Sequence, residues 1–181
     1  DTFSKIVVGE IERIDGLIKD LLDFASQRKS PRMKDFNLVS LVDQTVNYVE
    51  RKLELEEGKI RIVRVYDEKE ITLSGDSEKL KQTFINILMN GYQAMNGQGT
   101  LTVTIHRNAE YAEVSITDTG KGIHPSELAR IFDPFVTNRE MGVGLGLAIS
   151  KRIIEDHNGR IEVESEVSKG STFRVLLPVQ N

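Results

Sequence analysis

Asn86, Asn90 and Gln93 stand three and four residues apart in a stretch that otherwise reads as helix. Asparagine is a mediocre helix former because its amide competes for backbone hydrogen bonds, so amides recurring on one helical face need a reason. A carboxamide oxygen can ligate a hard cation such as Mg²⁺ or accept a hydrogen bond from a ligand, and amides turned into a cleft would do either. A solvated face is the alternative, although Glu and Lys suit it better. Asp118 follows an alternating apolar stretch and precedes Gly120 and Gly122. A carboxylate held at a strand end can accept from an amino group while a flat ring lies against bare backbone; the same pattern also makes a tight turn. Gly142, Gly144 and Gly146 alternate and then run straight into a helical pattern. Glycine costs roughly 1 kcal/mol against alanine inside a helix, so it belongs where a Cβ is forbidden. A glycine-rich entry lets a phosphate reach the unpaired N–H groups and partial positive charge of a helix start, or merely lets a loop pack closely.

The elements that must position these residues follow from periodicity. Residues 77–95 form a helix with Asp76 as its N-cap. Leu80, Phe84, Ile87 and Leu88 make its apolar face, and Lys79, Thr83, Asn86, Asn90 and Gln93 a second, polar stripe. Residues 39–57 predict another helix, and residues 60–66 and 71–73 predict strands. Residues 100–107 and 111–117 alternate like a hairpin around Asn108. Pro125 begins a short helix. The helix after the glycine-rich loop stops near Asn158-Gly159, and "RIEVESEV" and "STFRVLLP" are two further strands. Helices and mostly antiparallel strands segregate, which predicts an α+β fold, a two-layer α/β sandwich with helices on one face of a sheet. Residues 1–29 carry Phe3, Val7, Ile11, Ile14, Ile18, Leu21 and Ala25 at helical spacing, a long amphipathic helix with a stripe broad enough for a bundle. "SQRKSPRMKDFN" then brings charge and Pro31, so residues 30–36 read as a linker and 37–181 as the main domain.

Composition bounds the chemistry. The 181 residues, 39% hydrophobic and 29% charged, suffice for one core. A net charge of −4 speaks against a nucleic-acid binder that works by neutralising phosphates. Without cysteine, thiol catalysis, disulfides and thiolate metal sites are excluded. No apolar run approaches a membrane span, so no direct membrane contact is expected and the sequence reads as cytoplasmic, or as the cytoplasmic part of a membrane-bound sensor.

In order and spacing, "NILMNGYQA", "DTGKGI", "FDPF", "GVGLGL" and "GSTF" resemble the N, G1, F, G2 and G3 boxes of sensor histidine kinases, within the wider gyrase-like ATP-binding superfamily. "EIERIDGLIKDLLDFAS" resembles the second helix of that family's dimerisation and phosphotransfer hairpin. The resemblance implies the Bergerat-type ATP-binding fold, with ATP and Mg²⁺ as cofactors. Asn90 would ligate Mg²⁺, with Asn86, Gln93 and Ala94 beside it. Asp118 would accept from the adenine amino group, and Gly120, Gly122 and Ile123 would line the ring. Phe132 and Phe135 would bracket a lid running through Thr137 and Arg139 to Met141, with Arg139 reaching phosphate; plain core packing explains the two phenylalanines equally well. Gly142, Val143, Gly144, Leu145 and Gly146 would line the triphosphate, and Thr172 would close the adenine side.

Two departures stand out. Many relatives carry a lysine where Gln93 stands, and "NGYQAM" looks closer to the nitrogen-regulation and sporulation branches. The histidines, His106, His124 and His157, all lie outside the family's phosphoacceptor context, so the acceptor helix is expected to precede residue 1 and the chain alone should not autophosphorylate. Hydrolytic members of the superfamily place a glutamate base where this chain has Asn86, and an amide cannot activate water. The implied function is transfer of the ATP γ-phosphate to a histidine for relay to a response-regulator receiver domain. Homodimerisation through residues 3–25, weakened by the missing hairpin helix, is expected. The alternatives are a nucleotide-dependent interaction module without kinase activity and an anti-sigma serine kinase.

Overall fold

The computed structural model describes Val7 and residues 32–54, 59–136 and 144–179. Apart from Val7, the expected dimerisation helix therefore lies outside the described residues. The elements are β1 (Lys34–Asn37), α1 (Leu38–Glu54), β2 (Lys59–Tyr66), β3 (Thr72–Gly75), α2 (Ser77–Ala94), β4 (Gln98–Arg107), β5 (Tyr111–Asp118), α3 (Pro125–Leu128), α4 (Gly146–Asp156), β6 (Arg160–Glu166) and β7 (Gly170–Pro178). Five strands form one sheet in the order β2-β4-β5-β7-β6. All its pairs are antiparallel except β2 with β4. The helices α1, α2 and α4 pack together, with α2 between the other two and lying on β5. This is the two-layer α/β sandwich that the pattern predicts.

Each helix starts and stops for a local reason. Asn37 Oδ1 accepts from Val39 N at 3.0 Å and Ser40 N at 3.3 Å, so α1 begins at once after β1. Leu38, Val42, Val46 and Val49 then fall on one buried face. Asp76 caps α2 by accepting from Lys79 N at 3.2 Å. At the far end of α4, Asn158 adopts a left-handed conformation at φ 57°. Gly159 N donates to Ile154 O at 2.9 Å and Asn158 N to Glu155 O at 2.9 Å, a Schellman ending. In the β4–β5 turn, Asn108 Oδ1 accepts from the N–H groups of Glu110 and Tyr111.

The stretch read as linker contains a strand, because β1 pairs antiparallel with β3 in register Lys34 to Gly75. Its charged, exposed first residues hide that strand in the sequence, and the pairing comes from β3. His157 is the C-cap of α4. It is 5% exposed, and its Nε2 accepts from Asp76 N at 2.8 Å while its Nδ1 lies 2.7 Å from Ile153 O. A backbone N–H can only donate, so Nε2 holds the lone pair and Nδ1 the proton. This neutral imidazole ties the end of α4 to the cap of α2.

Candidate nucleotide site

Asp118 ends β5 at 3% exposure, turned toward α2. A Cβ on Gly91 would lie 3.3 Å from Asp118 Cβ and 2.7 Å from Leu101 Cδ1, so the mid-helix glycine lets α2 settle directly over the carboxylate. Asp118 Oδ1 accepts from Gly120 N at 2.8 Å, and the Ser171 backbone N–H donates to the same carboxylate. Burial raises the pKa of the carboxyl, and those two backbone bonds pull it part of the way back. Two carboxylate oxygens offer about four lone-pair sites, so two backbone donors leave acceptor capacity for an amino group.

The loop that follows is pinned on both sides. Lys121 N donates to Ala94 O at 3.0 Å, and Ile123 N to Ser165 Oγ at 2.8 Å. A Cβ on Gly120 would meet the Ala94 carbonyl at 2.6 Å, and Gly122, at φ 69°, lies under the backbone of Glu166. These glycines are required by the protein's own backbone, so they speak for the turn and not in themselves for a ring. Thr172 does not stand beside Asp118. Strand alternation turns it to the opposite face of the sheet, where its hydroxyl lies 3.0 Å from that of Thr117. Ser171, 5% exposed, takes the inner face instead, with its hydroxyl 3.0 Å from Ser165 Oγ. The sequence reading missed both serines; the register of β5 with β7, which pairs Asp118 with Ser171, is the signal that finds them.

Along α2 the polar stripe divides. Thr83 is fully buried, with no hydrogen-bond partner for its hydroxyl, and Gln93 is exposed. Asn86 and Asn90 are half-buried between these extremes. Asn86 Nδ2 donates to Ser150 Oγ in α4 at 2.9 Å. Gly144, at φ 72°, and Phe135, at φ 67°, are joined by a 3.0 Å bond from Phe135 N to Gly144 O, so the chain on either side of residues 137–143 comes together. Phe135 is 61% exposed. Phe132 packs against the core, with the Lys151 ammonium 5.8 Å from its ring centroid. Thr137, Arg139, Met141, Gly142 and Val143 lie outside the described residues. Leu145 is a core residue at 1% exposure, and α4 starts behind it with no side-chain cap. By contrast Asn37, Asp76 and His124 cap α1, α2 and α3.

The family profile described as histidine kinase-, DNA gyrase B-, and HSP90-like ATPase matches residues 75–181. The chain belongs to this ATPase family. It is 35% identical over 180 residues to Sporulation kinase C of Bacillus subtilis (strain 168), covering 99% of this chain and 41% of that protein. The chain thus spans less than half the length of that relative. The catalytic domain of the histidine kinase ThkA superposes with a TM-score of 0.72 at 28% identity, over 83% of this chain and 99% of that one. ThkA in complex with the response regulator protein TrrA shares the fold at TM-score 0.81 and 24% identity, over 99% of this chain and 51% of that one.

Within this ATPase-family chain, Asp118, Ser171, Gly120 and the end of α2 form one cluster, and Asn86 and the first turn of α4 a second. Among the described residues, no group of three or more His, Asp or Glu side chains is arranged so that it could hold a metal ion. Among the described residues, no helix is long and apolar enough to cross a membrane.

Proposed function

We propose that residues 37–181 are the ATP-binding catalytic domain of a two-component sensor histidine kinase, which offers the γ-phosphate to a histidine outside this chain for relay to a response-regulator aspartate. The observation that carries this reading is the bare start of α4. Three described helices have side-chain caps, whereas α4 is entered from Gly144 and leaves its first N–H groups for an anion. Asp118 supplies the second anchor, an acceptor for the adenine amino group. Mg²⁺ held chiefly by phosphate and water needs few protein oxygens, and this reading assigns Asn90 to contribute one. When bound, the metal would neutralise phosphate charge.

The chain's own residues bind and orient. Asp118 sets the base, α4 receives the phosphates, and Asn86, an amide, offers no base to activate water. Phosphoryl transfer to an imidazole needs mainly such positioning. None of the three histidines suits the acceptor role, since His157 is buried, His106 pairs with Asp67 on the surface and His124 caps α3. The test is calorimetry with MgATP, followed by supply of the histidine-bearing helix in trans and assay for acid-labile phosphate. Binding without transfer would favour a nucleotide-dependent interaction module. Self-association through residues 3–25 belongs to the same reading, and sedimentation of Ile14→Glu or Leu21→Glu should show its loss with ATP binding unchanged.

A further inference from the structure

Asn86 lies on the helix that faces α4, one turn before Asn90, and its carboxamide spans the first turn of α4. Nδ2 donates to Ser150 Oγ at 2.9 Å, and Ser150 is 1% exposed. On the same helix, four residues earlier, a Cβ on Gly146 would lie 2.5 Å from Asn86 Oδ1 and 3.0 Å from both Cγ and Nδ2. The flat amide therefore rests against the bare Cα of Gly146 while bonded to Ser150. Residues i and i+4 share one helix face, so one side chain grips both ends of that turn. Any tilt or slide of α4 against α2 would break the bond or drive the helix into the amide.

We propose that Asn86 and Ser150 form a latch that fixes the start of α4 relative to α2 and holds its N–H groups where phosphate is received. Asn86 is thus a positioning residue acting through α4, while Asn90 alone is left to contribute to the metal. Turning Asn86 Oδ1 toward a cation would take the amide away from Gly146 and Ser150. The inference rests on the ATP-binding reading for its purpose, but the latch itself is a contact between the chain's own residues.

The experiment uses the 181-residue chain with Asn86→Ala, Ser150→Ala and both together. Calorimetry with MgATP, ADP and adenosine separates phosphate from base recognition. Each single variant should weaken MgATP and ADP about 3- to 10-fold, the worth of one hydrogen bond, and leave adenosine unchanged. The double variant should bind no worse than Asn86→Ala, because both changes remove the same contact. Wild-type MgATP affinity in Ser150→Ala would overturn the latch and make Asn86 a direct ligand. An equal loss for adenosine would overturn it as well, pointing to general loosening. In the nucleotide-free chain, Ser150→Ala should speed amide hydrogen exchange at residues 146–149 and leave the sheet unchanged. Unaltered exchange there would sink the latch even if MgATP binds, whereas faster exchange in a chain that binds no MgATP would leave the latch standing and remove the nucleotide reading.

Discussion

The base end and the phosphate end of the proposed site are built in opposite ways. Around Asp118 the geometry comes from strand register and backbone bonds. Gly120 N and Ser171 N reach the carboxylate, Ala94 O holds Lys121 N, and Ser165 holds Ile123 N. Around Asn86 and Gly146 the geometry comes from one helix leaning on another, joined by a side-chain contact and entered through a loop whose ends meet at Phe135 and Gly144. The first arrangement is as rigid as the sheet. The second hangs on a side-chain latch between two helices, which one substitution can release. Substitutions at the base end should therefore damage fold and binding together, and those at the phosphate end should change binding alone.

The largest effect tests the rigid end. Gly170 sits at φ 113°, and a Cβ there would overlap the carbonyl of Asp118. Gly97, at φ 87°, has nothing within 4 Å of the same added atom. Gly170→Ala should cost roughly 2–4 kcal/mol of stability and most ATP affinity, against about 1 kcal/mol for Gly97→Ala. Urea unfolding of the two variants measures the gap, and equal midpoints would show that the base end is not held by backbone contact.

Asp118→Asn comes next. It replaces an acceptor by an amide whose NH₂ meets donors, so ATP should weaken by about 5- to 150-fold, or roughly 1–3 kcal/mol, while Asp133→Asn on the exposed surface changes little. The pH dependence sharpens it. Burial raises the pKa of Asp118 in the folded chain above its unfolded value, so its contribution to stability is fully present below the unfolded pKa and is lost as pH rises through the folded one. ATP affinity should run the other way, falling as acid protonates the acceptor. Both slopes should vanish in Asp118→Asn, as thermal melts and calorimetry across the acid range would reveal.

Much of this was legible in the sequence. Asp76, Asn108, Pro125 and the Asn158-Gly159 ending mark their elements because each acts within a few residues of itself. The five-strand sheet follows from alternation. What escaped depends on register between distant segments. Thr172 and Ser171 are adjacent and chemically alike, and only the pairing of Asp118 with Ser171 decides which faces inward. Ser150 reads as an ordinary small residue in an amphipathic helix until α2 is laid beside it. The strand β1 is likewise invisible without β3, and the glycines at 91 and 120 answer to the Leu101 and Asp118 side chains and to the Ala94 backbone, which no local pattern contains.

At the phosphate end, Asn90→Ala should remove the Mg²⁺-dependent part of ATP affinity, about 5-fold, the worth of one ligand contact, and leave the urea midpoint within error, since the residue is only half-buried. ADP affinity without Mg²⁺ should be unchanged. If ATP binding keeps its full Mg²⁺ dependence in this variant, the metal is held elsewhere and the phosphate end loses its one candidate donor.

Gln93 gives the smallest expected effect. It lies in the last turn of α2, one turn beyond Asn90, and its side chain is exposed. Gln93→Lys would add a cation one turn beyond Asn90, where the proposed reading brings phosphate charge. Because water screens the new charge, the gain should stay near that of a surface ion pair, roughly 2- to 5-fold in ATP affinity. It should be smaller for ADP, which brings less negative charge, and should fade as the Debye length shrinks from about 10 Å at 0.1 M salt to about 3 Å at 1 M. Adenosine should bind both forms alike, because it carries no charge for the added ammonium to attract. Calorimetry at the two salt concentrations decides the point. A gain that persists at high salt, or that extends to adenosine, would mean that the new side chain acts by direct contact and not through its charge.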